Sequence, residues 1–327
     1  MIESTDATLE FKDRTTGLII FGVVSVLIGA FCALLVPLMF LSVALSETVA
    51  GGGVDARSAW SASALYGFMA VTFAWLGIGS IRARRWAREL LLSVSWIWLL
   101  TGICSLMIGM LVIPAVVRGT GVATGIPPEM TSLIVLVIFG VIGLLYVVLP
   151  GAFVLFYRSP HVAATCRARY PDPQWIDACP RRLLTLMVVW VLLAVSALLM
   201  PAYNFFFPFF GIVLTGAAGA VLWAFVLALC VALAVGTCRR APWAWWGGMA
   251  LSLAGTLSST LVVLRFDLME IMTLMKLPED QVAMMDAMPI LDGWIMALVT
   301  VFVWLTFIVY LMTLRQYFLS APISADA

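Results

Sequence analysis

Long apolar blocks broken by short polar stretches dominate this chain, and within the blocks polar positions do not recur with the period of two that a strand would need. Blocks of 18 or more residues with almost no charge read as membrane-spanning helices. They place eight helices, over Gly17–Leu45, Ala59–Ile81, Glu89–Val117, Thr131–Tyr157, Leu183–Pro201, Phe209–Gly236, Ala244–Leu264 and Gly293–Phe318. Each carries the ~20 residues needed to cross a hydrocarbon layer of about 30 Å. A helix satisfies its own backbone hydrogen bonds there, where no water can. The expected fold class is therefore an all-α integral membrane protein with about eight transmembrane helices.

Composition supports the same class. Of 327 residues, 64% are hydrophobic and 11% charged, against about 25% charged in soluble domains. The polar segment Met1–Thr16 lacks the basic, apolar and small-residue succession of a cleaved signal peptide, so the first block is expected to be retained as a helix.

Net charge is +1, which gives no electrostatic reason to expect a nucleic-acid partner. The distribution of charge says more. Lys12, Arg14, Arg82, Arg84, Arg85, Arg88, Arg158, Arg167, Arg169, Arg181, Arg182, Arg239, Arg240 and Arg315 all fall on one side of the expected topology. Arg57, Arg118, Arg265 and Lys276 fall on the other. By the positive-inside rule the first side is cytoplasmic, both termini included, in the cell (inner) membrane.

The chain also repeats itself. Gly79-Ser80-Ile81-Arg82, running on to Trp86-Ala87, recurs at an offset of 157 residues as Gly236-Thr237-Cys238-Arg239, running on to Trp243-Ala244. Prolines near the ends of the first and fifth helices (Pro37, Pro201) and an aromatic-polar close to each half complete the likeness. Two parallel tandem four-helix repeats are expected, spanning 17–157 and 183–319. A cytoplasmic segment (1–16), a proline-rich hinge loop (158–182) and a cytoplasmic tail (320–327) complete the division.

Four features bear on function. Along the sixth helix small residues recur every fourth position: Gly216, Ala220, Ala224, Ala228, Ala232 and Gly236. Such a ridge lets helices approach closely, within the chain or against a membrane-protein partner or second copy. Arg82, Arg84, Arg85 and Trp86, with Arg239, Arg240 and Trp243, form basic-aromatic turns suited to lipid headgroups. Met269, Met272 and Met275 lie at i, i+3, i+6; thioethers suit soft metals, while interleaved Leu268, Ile271 and Leu274 suit packing. His161, Cys166, Cys179 and Cys238 are zinc-capable residues without a zinc-binding spacing, better read as reduced thiols beside a lone histidine.

No ionisable residue falls deep inside an expected span, which counts against an ion-coupled carrier. No phosphate loop, metalloprotease motif or nucleophile elbow occurs. The reading is an accessory or structural subunit of a membrane complex, without enzymatic activity or cofactor. A transporter or channel for a neutral, lipid-like or metal substrate is the alternative.

Overall fold

A computed structural model of the chain describes residues 12–49, 56–124, 128–171, 179–277, 282 and 293–319. The helices are α1 (Thr15–Val49), α2 (Ala56–Ile81), α3 (Arg85–Thr124), α4 (Pro128–Gly143), α5 (Leu149–Arg158), α6 (Pro160–Arg169), α7 (Arg181–Ser196), α8 (Gly216–Cys238), α9 (Pro242–Arg265), α10 (Leu268–Leu274), α11 (Gly293–Thr313) and α12 (Arg315–Leu319). A π-turn over Leu144–Val148 joins α4 to α5, and a 3₁₀ segment, Ala197–Tyr203, continues α7. Among the described residues seven helical stretches are long and apolar enough to cross a membrane: Thr15–Leu45, Ala56–Ile81, Arg85–Met107, Ser132–Arg158, Arg181–Tyr203, Gly216–Cys238 and Pro242–Arg265. The chain is a multi-pass, all-α membrane protein.

The helices pack as antiparallel pairs: α1 with α2, α3 with α5, α7 with α8, and α9 with α11. Glycine makes the first pair tight. A Cβ on Gly77 would lie 2.7 Å from the Gly22 carbonyl oxygen, and one on Gly29 would lie 2.9 Å from that of Ala70. Without side chains at these points the two backbones come close enough for dispersion contacts, which lipid cannot rival. Contacts of α2 with the 3₁₀ segment and of α3 with α7 join the first six helices to the rest.

The π-turn sits where Pro150 removes a backbone donor. Gly102 of α3 lies against it: a Cβ there would fall 2.0 Å from the Tyr146 carbonyl oxygen. Only hydrogen fits.

The two turns singled out by the repeat close with the same bonds. Arg82 N–H donates to Ile78, Ala83 N–H to Ser80 and Arg84 N–H to Gly79; Arg239, Arg240 and Ala241 donate to Val235, Thr237 and Gly236 in the same order. Ala83 (φ 55°) and Arg240 (φ 53°) both hold the left-handed conformation that ends the helix. Gly79 meets Trp86 and Ala87 as Gly236 meets Trp243 and Ala244. Further on, Ser95 Oγ donates to the Leu91 carbonyl and Ser252 Oγ to that of Gly248. All these pairs share the 157-residue offset.

The buried core is displaced toward one end of the bundle. It gathers Leu18 at the head of α1, Leu91 and Leu92 of α3, Tyr157 of α5, Leu183 of α7, Leu233 of α8 and Leu311 of α11. The same end carries the basic turns. Ser80 Oγ donates to the Leu18 carbonyl at 3.0 Å and lies 2.6 Å from the Tyr157 hydroxyl, so one hydroxyl pair ties α1, α2 and α5.

At the opposite end the structure departs from the expected helix beginning at Phe209. Phe207–Phe209 and Ile212–Leu214 form a small antiparallel hairpin, and α8 starts only at Gly216. Phe210 (φ 44°) and Gly211 (φ 82°) make its two-residue turn, a left-handed pair that matches strand twist. Ser258 of α9 holds it, donating to the Pro208 carbonyl at 2.6 Å and accepting from Phe210 N–H at 2.9 Å. Arg265 donates to the Gly211 carbonyl at 3.1 Å.

Candidate functional site

The basic turn before α3 leads its first residues under α6 and against α7. Arg85, Arg88, Glu89, Ala163, Cys166, Arg167, Cys179, Arg181 and Leu184 line a cleft of about 190 Å³ there. α3 supplies Arg85, Arg88 and Glu89 from its first turn and a half; α6 supplies Cys166 and Arg167; the head of α7 supplies Arg181 and Leu184. The cleft therefore lies where α3, α6 and α7 meet.

Its charges are ordered. Glu89 accepts from Arg181 Nε at 2.7 Å and from Arg181 Nη2 at 3.3 Å, and it also binds Arg88 Nη1. Arg181 is half exposed, whereas Arg88 is only 6% exposed and Glu89 lies between them. Arg88 Nε meets no acceptor among the described residues. Arg85 donates weakly to the Tyr170 carbonyl at 3.4 Å, and the Arg84 guanidinium stacks 4.2 Å from the centre of the Tyr170 ring, so Tyr170 orients both arginines. Burial pushes the Cys166 thiol up to about 11, with neighbouring Arg88 pulling the other way. Burial likewise raises Cys179. Both thiols are neutral at physiological pH and behave as apolar lining.

The sequence-selected residues divide around this site. Arg85 belongs to its lining, and Arg84 stacks on Tyr170. Arg82 and Arg239 are exposed, Arg240 too, and Trp86 stacks on Trp75 with centroids 4.3 Å apart. Trp243 is exposed in the equivalent turn. The small-residue ridge of α8 is split. Gly236 is buried in the turn, Gly216 and Ala220 are half-buried, and Ala224, Ala228 and Ala232 face out of the bundle. Met272 is buried with Ile271 on α10, Met269 is half-buried, and Met275 is the residue that ends that helix. Met284, Met285 and Met288 lie outside the described residues. Among the described residues no three His, Cys, Asp or Glu side chains are placed to hold a metal ion.

The sequence places Arg88 among the arginines of one face but does not reveal its burial or the bond of Glu89 to Arg181. The available signal was a lone carboxylate at the head of a span between two arginine clusters.

No protein-family model, no curated protein and no solved structure matches the chain.

Proposed function

We propose that the chain is an accessory or structural subunit of a membrane protein complex. In this reading it crosses the cell (inner) membrane eight times, with both termini cytoplasmic, and carries out no chemistry of its own. The observation that carries the proposal is the outward face of α8. Ala224, Ala228 and Ala232 run over successive turns and are exposed on the described bundle. A smooth ridge of this kind favours a partner's transmembrane helix over lipid, because two backbones can approach along it.

α11 supplies the eighth crossing in this reading: its 21 residues match the ~20 needed for about 30 Å. The clustering of basic turns at one end favours that end as cytoplasmic. The matching turns and serine bonds at one offset, with the shared pairing of helices, support descent from a duplicated four-helix unit. The same duplication favours the second reading, a transporter or channel for a neutral, lipid-like or metal substrate, since related halves can enclose a midplane site.

The deciding experiment is a mild-detergent pull-down of the tagged protein from its native membrane, beside the A224L/A228L variant. A stoichiometric membrane partner or second copy, lost in the variant while folding is retained, is expected. A wild-type protein that emerges as a lone monomer refutes the subunit reading and leaves the transporter. A reporter fused after Ala321 is expected to be active only in the cytoplasm; external activity refutes the even span count.

A further inference from the structure

Among the described residues, the cleft between α3, α6 and α7 sets the guanidinium groups of Arg88, Arg167 and Arg181, with Arg85 beside them, against the carboxylate of Glu89. That carboxylate is already engaged by Arg181 and Arg88. Arg88 is more than nine-tenths buried, and its Nε still has no acceptor. A buried charged donor without a partner is costly, and such groups in folded proteins are normally satisfied. The missing partner is an acceptor, and the surplus of positive charge says that it is an anion.

The backbone adds to this. α3 begins at Arg85 and α7 at Arg181, so two membrane-spanning helices open their amino-terminal ends at the same cleft. Those ends carry the positive pole of the helix dipole. The planar fork of arginine matches the paired oxygens of a phosphate. The general basic anchoring of a helix end requires none of this: Arg82 and Arg239 can perform that role from the exposed surface.

We propose that this cleft is a binding site for a phosphate group, presented either by the headgroup of an anionic phospholipid or by a small soluble phosphate. Its position at the heads of two spans puts the guanidinium groups where lipid headgroups lie. The volume of about 190 Å³ accommodates a tetrahedral oxyanion with part of its ester. Arg88, Arg85 and Arg167 line the space that would receive it, and Arg181, bonded to Glu89, closes the same lining.

The test uses the full-length protein in detergent micelles containing phosphatidylcholine. Melting temperature and native mass are followed on adding either phosphatidylglycerol to the micelles or inorganic phosphate to the buffer. Three proteins are compared: wild type, R85Q/R167Q, and R239Q as a control for basic surface outside the cleft. Phosphatidylglycerol, phosphate or both should stabilise wild type and R239Q. In R85Q/R167Q the apparent affinity should fall roughly tenfold or more, in keeping with the loss of charge-assisted hydrogen bonds. Stabilisation by phosphatidylglycerol alone identifies a lipid headgroup, and stabilisation by inorganic phosphate identifies a soluble ligand. An equal response in all three proteins overturns the proposal, because it reports general surface charge. If the double variant does not fold, wild type still decides. A wild-type protein that neither retains phosphatidylglycerol in its native mass nor shifts its melting temperature with either probe overturns the proposal. That is the result expected if the chain's own carboxylates already answer these arginines.

Discussion

Replacing Glu89 with glutamine keeps the shape of the side chain and removes its charge. Two arginines lose their counter-charge, but the structure makes the losses unequal. Arg181 is half exposed, so water replaces the carboxylate, and exposed pairs of this kind contribute about 0–1 kcal/mol. Arg88 is 6% exposed, and water cannot reach it as easily. Stripping one partner from a buried pair costs about 3–5 kcal/mol, because a bare charge is left behind. Glu89 itself retains 19% exposure, which places the expected loss somewhat lower, at about 2–4 kcal/mol. Arg181→Gln should cost less than about 1 kcal/mol. The assay is reversible unfolding in mixed micelles with increasing mole fraction of a denaturing detergent, followed by tryptophan fluorescence. A third variant sharpens it: Arg88→Met combined with Glu89→Gln leaves no buried charge and should recover part of the loss. If Glu89→Gln costs no more than Arg181→Gln, or if the paired replacement is worse than Glu89→Gln alone, the buried-pair reasoning is wrong.

Other substitutions test other parts of the fold. Gly102→Ala should destabilise the α3–α5 pair by about 1–3 kcal/mol in the same assay, because its methyl would collide with the Tyr146 carbonyl oxygen; a neutral result would mean that the π-turn yields. Ser258→Ala removes the hydroxyl that serves both Pro208 and Phe210 and should cost about 1–3 kcal/mol, with faster amide exchange at Phe210 as the local sign. Burial holds the Cys166 thiol near 11 and so almost wholly protonated at pH 8, and its alkylation should lag far behind that of exposed Cys238. Raising the pH toward 11 should narrow that gap, and equal rates at pH 8 would contradict the burial of Cys166.

The helices were legible because a bilayer demands blocks of about 20 apolar residues, and a block needs no knowledge of its neighbours. The Gly79 and Gly236 turns were legible too, since each is a local arrangement of a few consecutive residues. Direction was not. The ridge on α8 could be seen as a row of small side chains, but whether Ala228 faces a sister helix or lipid depends on how α8 is rotated against α7. The expected helix from Phe209 takes in most of the hairpin at Phe207–Leu214 because apolar residues satisfy both readings. Its signals were Gly211 and the β-branched pair Ile212-Val213, which favour a turn followed by a strand. The arginine cleft was out of reach for a different reason. Arg88, Cys166 and Arg181 stand 15 or more residues apart in the chain, and only the meeting of α3, α6 and α7 brings them together.

The two matched turns have a mechanical meaning. Three residues, Arg82 to Arg84, separate α2 from α3, and three more, Arg239 to Ala241, separate α8 from α9. Each turn is closed by hydrogen bonds and wedged by a tryptophan against glycine, so neither has slack. Helices joined this way cannot slide past one another along the membrane normal. When the surrounding bilayer thins or thickens, α2 and α3 must tilt or shift as one body, and so must α8 and α9. The turns thus act as fixed stops, which convert a change in membrane thickness into rotation of whole helix pairs.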